Sequence, residues 1–386
     1  MADFPSGDEL PTTLARMRIC LDARTAGDHF PGIGRYTVNL ARALGPLLAG
    51  EDRLLLLRDP GPRSRWDLAP LAGDRVEVWD APASPFALRQ QWQLPPLLRR
   101  QGVDLYHSPY YLMPFYPGVP SVVTIHDLIP LRYPRLFSPV QRLIFAFAIR
   151  LAVRAARVVV AVSAATARDL QEMLSLPVDR IALIPEGVDP IFHPQGAAAI
   201  AAVRAHHALP ESYALYVGSN KPHKNLVRLV EAWAGLRSRG VPLVTAGAWD
   251  PRYPEARDLA GRLGLGSAVR FLGPVEDGDL PALYSGARLF VLASDYEGFG
   301  LPVLEAMACG TPVACSRRGS LPEVAGSAAL LFDPSSVEAI RDALDAVLAD
   351  SQRREELSRL GLEQAARFTW DAAARATITA YRRVLP

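Results

Sequence analysis

Short apolar runs alternate with longer helical patterns along almost the whole chain, and this alternation leaves few folds open. Residues 18–21, 54–57, 76–79, 103–106, 122–125, 158–162 and 181–184 are rich in Val, Ile and Leu. A strand with one wet face alternates apolar and polar residues. A continuous apolar run instead suits a strand buried on both faces, as in a parallel sheet covered by helices. The pattern then restarts at 213–217, 243–245, 269–272, 289–292, 312–315 and 329–332. Between the two sets lies PEGVDP at 185–190, continuing to Pro194, and then an Ala-rich stretch at 196–202, which together read as a boundary. The expectation is an α/β protein of two Rossmann-like domains facing a cleft. A flexible lead occupies 1–15, one domain 16–190 and the other 191–367. An amphipathic helix at 368–386, with Trp370 near its start, packs back on the first domain.

Composition excludes several classes of function. The 386 residues are 49% apolar and 21% charged with a net charge of +2, ordinary for a globular protein and without the basic excess of a nucleic-acid binder. Cys20, Cys309 and Cys315 lie in or beside apolar segments and lack metal-ligand spacing, which fits a reducing cytoplasm. The first residues carry Asp3, Asp8 and Glu9, and the apolar run at 143–149 is stopped by Arg150, so no signal peptide or membrane span is expected.

Of 42 Lys and Arg residues only Lys221 and Lys224 are lysines, both in GSNKPHKN at 218–225. The segment falls between a strand pattern and the amphipathic stretch 226–236. A loop there gathers free backbone amides and a helix N-terminus beside two compact ammonium groups, which suits a phosphate. A second candidate is GIGRYT at 32–37, a glycine turn that follows the first strand and precedes the helical pattern 38–44. It is either a structural turn or a contact to a phosphate or sugar. The dinucleotide fingerprint is broken, because Thr37 stands where the third glycine belongs and Arg58 follows the second strand. EGFGLPVLE at 297–305 opens a helix with two glycines and two glutamates. Alone it fits a helix cap as well as a ligand site. His126-Asp127 ends a strand at the carboxyl edge, either lining the crevice or buried and satisfied by backbone. Asp277-Gly-Asp279 precedes 280–284 and reads as a helix cap rather than a metal site. The stretch from Asp127 to Asp169 has no acidic residue between its ends. Arg150, Arg154 and Arg157 recur there at helical spacing, the pattern of either a solvated face or a helix lying on an anionic membrane.

In order, GIGRY, the strand-end His-Asp, GSNKPHKN and EGFGLPVLEAMACGTPV resemble the retaining glycosyltransferases of family 4, which have the two-domain GT-B fold. The resemblance runs from about Arg18 to the C-terminus and includes SLPEV at 320–324. Asp22-Ala-Arg24 with GIGRY is similar to the bacterial mannosyl- and rhamnosyltransferase branch that builds surface polysaccharides. The resemblance implies an acceptor side in the first domain and a nucleotide-sugar donor side in the second. The donor diphosphate would be held by Lys224, Lys221 and Ser219, by backbone at Gly32 to Gly34, and by amides around Phe299, Gly300, Leu301 and Val303. Glu305 would accept the ribose hydroxyls, Glu297 would contact the transferring sugar, and His126 would reach that sugar from the opposite domain. His126, Lys224 and Glu297 are the implied catalytic group. Many relatives carry Arg where this chain has Ser219, leaving Lys221, His223 or Arg35 to supply that charge. No metal or other cofactor is expected. The implied partners are a nucleotide-sugar, with GDP-mannose as the first donor, and a saccharide or lipid-diphosphate-linked acceptor met at the inner face of the cell membrane. A nicotinamide oxidoreductase and a non-catalytic sugar-nucleotide binder are the alternatives.

Overall fold

The computed structural model describes residues 16–27, 31–61 and 66–385, so the lead at 1–15 lies outside the described residues. In the first half, β1 (Arg18–Asp22), β2 (Arg53–Arg58), β3 (Val76–Asp80), β4 (Leu105–Ser108), β5 (Ser121–Ile125), β6 (Val158–Ala161) and β7 (Ile181–Leu183) form a parallel sheet. Its spatial order is β3-β2-β1-β4-β5-β6-β7. In the second half, β8 (Ala214–Val217), β9 (Leu243–Ala246), β10 (Val269–Gly273), β11 (Leu289–Leu292), β12 (Val313–Ser316) and β13 (Ala329–Phe332) do the same in the order β10-β9-β8-β11-β12-β13. Every apolar run read from the sequence is one of these strands, with ends moved by a residue or two. Both halves are Rossmann-like.

Helices α1 (Pro31–Leu44), α2 (Gln90–Arg100), α3 (Ile129–Arg132), α4 (Pro139–Ala155) and α5 (Ala164–Leu174) accompany the first sheet. The pleat sorts the core. Ile19, Leu21, Leu54, Leu56 and Val160 meet Tyr36, Leu40 and Leu44 of α1 on one side. Cys20, Leu55, Leu57, Val123 and Val159 meet α2, α4 and α5 on the other. Side chains alternate across a strand, so both faces of a doubly covered sheet must be apolar, and the uninterrupted runs follow from that.

The second sheet is accompanied by α6 (Ala197–His206), α7 (Leu226–Ala234), α8 (Glu255–Arg262), α9 (Leu280–Ser285), α10 (Leu301–Ala308), α11 (Leu321–Ala325), α12 (Val337–Ala349) and α13 (Ser351–Ala365). The Ala-rich stretch at 196–202 is helical, as the first turns of α6, because alanine is the strongest helix former. Helix α14 (Trp370–Arg382) starts where Thr369 Oγ1 accepts the Ala372 amide at 3.1 Å. It lies against α1, with the Trp370 and Tyr36 rings 5.6 Å apart. Tyr381 Oη reaches His107 Nδ1 at 2.7 Å, and His107 Nε2 reaches Thr124 Oγ1 at 2.8 Å. Burial holds the His107 imidazole down to about 3, so the ring is neutral and serves as a polar tie within the core.

All three cysteines are buried and free. Among the described residues, no helix is long and apolar enough to cross a membrane.

Candidate functional site

Chain order reverses beside the first strand of each half: β1 lies between β2 and β4, and β8 between β9 and β11. Carboxyl ends of parallel strands open a crevice at such points. The loops that leave these ends carry the residues singled out in the sequence.

On the second-sheet side, β8 runs into the lysine loop, which closes as a single 3-10 turn at Pro222–Lys224. Asn225 follows in the left-handed conformation, φ 57°. Its side-chain amide donates to the carbonyls of Ala293 at 3.0 Å and Pro334 at 2.8 Å, tying the loop to the end of β11. That anchorage aims Lys224 at the turn between β11 and α10, where Nζ donates to both oxygens of Glu297 at 2.8 and 2.7 Å. Ser294 Oγ donates to the same carboxylate at 2.5 Å. Burial alone raises the Glu297 carboxyl, but Lys224, His223 and these hydrogen bonds more than offset it and hold it below its usual range. Burial pushes the His223 ring down to about 4, with Lys224 adding to the effect. Lys221 is exposed, and the Ser219 carbonyl accepts the Tyr216 hydroxyl at 2.8 Å.

Gly300, at φ 111°, makes the turn into α10 that a residue with a side chain would strain to make. The Val303 amide is already given to the Gly300 carbonyl at 3.0 Å, so Val303 is a poor donor for a ligand. Leu301 opens α10, and its amide has no intrahelical carbonyl to reach. The Phe299 carbonyl accepts Ser320 Oγ at 2.6 Å, which braces the turn from α11.

Glu305 lies inside α10, buried and engaged. Tyr284 Oη donates to Oε2 at 2.8 Å, and Arg35 Nη1 stands 3.1 Å from Oε1, close enough for an ion pair but misaligned for a hydrogen bond. Burial raises this carboxyl despite Arg35 and Tyr284. Arg35 comes from the other half of the chain. Its Nη2 donates to Asp277 at 3.0 Å, and its guanidinium lies 5.0 Å from the centre of the Phe192 ring.

Two sequence expectations are corrected here. Gly32 and Gly34 are not a loop before a helix; they lie in the first turn of α1, which begins at Pro31. Proline is pre-set for that first position, so the helix starts earlier than the apolar periodicity suggested. The space above Gly34 is filled by the Trp66 indole, 2.2 Å from where a Cβ would sit. Asp277-Gly-Asp279 does not cap α9 with a side chain. Asp277 reaches Arg35, and one Asp279 oxygen accepts from His206 Nδ1 and His207 Nε2, each at 2.9 Å. Those three ligand atoms lie within 4.8 Å of one another. Long-range partners outcompeted the local cap.

On the first-sheet side, His126 follows β5. Both ring nitrogens already face acceptors: Nδ1 lies 3.0 Å from the Glu186 carboxylate and Nε2 3.1 Å from the Pro109 carbonyl. The Tyr36 ring packs edge-on at 4.9 Å. A sugar hydroxyl can bond this ring only by displacing one of these partners. Asp127 accepts the Ile129 amide at 3.0 Å, and burial raises its carboxyl.

The two halves touch directly around these residues. A Cβ on Gly298 would come within 2.0 Å of the His126 carbonyl oxygen, so only glycine permits this approach. Thr166 Oγ1 donates to the carbonyls of both His126, at 3.0 Å, and Gly298, at 3.3 Å. The structure therefore gathers His126, Lys224, Glu297, Gly298 and Gly300 at one seam, with Arg35 and Glu305 at a second contact between the halves. Each glutamate is matched by a cation. Lys224 stands at the first of these contacts and Arg35 at the second, and the start of α10 turns backbone amides toward the first, a combination of cations and helix-start amides that suits phosphate. Sequence reading missed Glu186, Tyr284, Thr166 and Ser294. Glu186 stood in the segment read as a boundary, where its position just after a strand was the available signal.

Residues 31–192 match the model described as Glycosyltransferase Family 4, and residues 202–364 the one described as Glycosyl transferases group 1. The chain is 35% identical over 300 residues to an O-antigen chain mannosyltransferase B of Escherichia coli, covering 76% of this chain and 77% of the relative. It is 33% identical over 274 residues to a serotype-specific mannosyltransferase of Escherichia coli, which covers 69% of this chain but 34% of that longer protein. Among solved structures it is similar to sucrose-phosphate synthase from Thermosynechococcus elongatus, with TM-score 0.77 and 26% identity over 95% of this chain and 99% of the other.

Proposed function

This chain belongs to the family 4 glycosyltransferases with the GT-B fold, and we propose that it moves a hexose, with mannose from GDP-mannose as the first candidate, onto a saccharide or lipid-diphosphate-linked oligosaccharide. The observation that carries the reading is the Lys224–Glu297 contact. Segments 73 residues apart deliver a cation suited to a diphosphate and a carboxylate suited to a sugar to within 2.7 Å of each other. Mannose is favoured because both relatives above are named as mannosyltransferases.

In this reading the diphosphate draws Lys224 from Glu297 and Arg35 from Glu305. The freed Glu297 then faces the sugar and the freed Glu305 the ribose hydroxyls. Cleavage of the sugar–phosphate bond builds negative charge on the leaving diphosphate, which Lys224, Arg35 and the Leu301 amide stabilise. A preorganised donor of this kind is worth on the order of 3 kcal/mol in the transition state. The acceptor hydroxyl enters on the leaving-group face and gives its proton to the departing phosphate oxygen as the new glycosidic bond forms, so the anomeric configuration is kept. No metal is needed in this scheme, since two cations and helix-start amides already offset the diphosphate.

The test is a donor screen read by release of nucleoside diphosphate, using GDP-mannose, UDP-glucose and ADP-glucose with and without a lipid-linked oligosaccharide, and NADH binding as a control. Acceptor-dependent GDP release from GDP-mannose supports the proposal. Turnover confined to another donor overturns the mannose assignment. Binding of donor without turnover for any acceptor, or a melting-temperature rise with NADH alone, overturns the transferase reading of the site.

A further inference from the structure

Helix α4 keeps one side in the core and leaves the other bare. Phe145, Ile149, Ala152 and Val153 are buried, whereas Val140, Leu143, Ile144 and Phe147 are 65, 72, 60 and 65% exposed. Their spacing of three, four and seven residues sets them in a single strip along the helix. Isolated exposed apolar residues are ordinary, but four large ones in a row on a helix are not. Helix α2 covers the same face of the sheet, its Leu94 and Leu98 sharing a core cluster with Phe145 and Ile149. It exposes Trp92, 63% accessible. A cavity of about 600 Å³ joins the C-terminal ends of both helices, lined by Arg99 of α2 and by Leu151 and Arg154 of α4, with Tyr116 at its edge.

The chain segment that builds α2 and α4 is almost free of acidic residues. Between residues 81 and 168 the only acidic residues are Asp104 and Asp127. Asp127 sits beside the cleft, and Asp104 accepts the Arg18 amide at the start of β1. Helix α4 itself carries Arg142, Arg150 and Arg154 and no acid. Arg157, expected on the same helical face, lies beyond the end of α4 and donates to the Val384 carbonyl at 2.9 Å, so it is tied to the fold instead.

We propose that the α2–α4 face docks on an anionic lipid bilayer. Leu143, Ile144, Phe147 and Trp92 enter the boundary between headgroups and acyl chains, and Arg142, Arg150 and Arg154 meet lipid phosphates. A second copy of this chain fits poorly, because a two-fold contact would set like-charged arginines against one another with no carboxylate to separate them. Helix α4 starts on the carboxyl side of β5, where His126 also lies, so a bilayer against it borders the mouth of the cleft. That last consequence, delivery of a lipid-borne acceptor, rests on the proposed function; the docking itself does not.

The experiment is sedimentation of the full chain with vesicles of phosphatidylcholine alone and of phosphatidylcholine with about one-quarter phosphatidylglycerol, at low and high salt. The expected result is binding at least tenfold stronger to the anionic vesicles, weakened by salt. Leu143→Glu with Phe147→Glu should lose tenfold or more of that binding while melting temperature and turnover of a soluble acceptor stay unchanged, both side chains being exposed. Arg150→Gln with Arg154→Gln should remove the salt dependence and the preference for anionic lipid. No binding by the parent to anionic vesicles at low salt overturns the proposal, as does parent-like binding by the Leu143→Glu, Phe147→Glu variant. Concentration-dependent dimerisation that the glutamates abolish, without vesicle binding, overturns it in favour of self-association. Because this readout needs no donor, its failure is distinguishable from failure of the mannosyl assignment.

Discussion

Replacing Lys224 by Met removes the counter-charge from a buried carboxylate, and the size of the consequence depends on pH. Lys224 is 21% exposed at its side chain and Glu297 10%, with two hydrogen bonds between them. Removing one partner of a buried ion pair typically costs 3–5 kcal/mol, and the partial exposure of Lys224 brings the expectation down to about 2–4 kcal/mol at pH 8. At about 2–4 °C per kcal/mol for a domain of this size, the melting transition of the second half should fall by roughly 4–16 °C. In the parent the Glu297 carboxyl is held below its usual range, so the unfolded chain binds its proton first and stability is lost as pH falls through the low fours and below. In the variant burial is left unopposed by Lys224 and the carboxyl rises above its unfolded value. The folded chain then binds the proton first, and stability grows on acidification by up to about 1.4 kcal/mol per pH unit until the unfolded value near 4.3 is reached. Thermal unfolding at pH 8 and pH 5 therefore decides the matter: the gap between parent and variant should shrink at pH 5, and Glu297→Gln added to Lys224→Met should close most of it at pH 8. A variant melting within about 1 °C of the parent at pH 8, or a gap that widens on acidification, would refute the reasoning. In folded protein at 25 °C the same variant should lose about a hundredfold in kcat/KM.

Glu305→Ala should weaken nucleotide binding by calorimetry with kcat less affected, because ribose contacts persist from ground to transition state, while His126→Ala should lower kcat more than affinity. Loss of affinity at unchanged kcat in His126→Ala would reverse that division. Activity should survive EDTA; complete inactivation restored by magnesium or manganese would contradict a phosphate site built from Lys224, Arg35 and helix-start amides. His107, buried and held near 3, makes folding lose up to about 1.4 kcal/mol per pH unit as pH falls below 6.5, and His107→Asn should lack that part of the acid slope in urea titrations.

The strands, their division into two sheets and the doubly covered faces were all present in the sequence, because a strand buried on both sides has no choice but to be apolar throughout. The loops after β5, β8 and β11 were equally legible: a break in an apolar run followed by glycine, lysine or glutamate marks a strand end, and in a parallel sheet strand ends are where ligands sit. What local pattern could not supply was partnership. Asp279 reads as a cap in one dimension, yet His206 and His207, more than 70 residues away, hold its oxygen. Arg35 and Glu305 belong to separate motifs, and only the meeting of the two halves pairs them. Glu186 looked like part of a boundary until the fold set it against His126. The exposed ridge of α4 is the plainest case. Its residues are as apolar as the core, and hydrophobicity alone does not say which side of a helix will find a neighbour. Burial and ion pairing are relations between segments distant in the chain, so they were decided by packing, while strand, helix and turn followed from the residues next to one another.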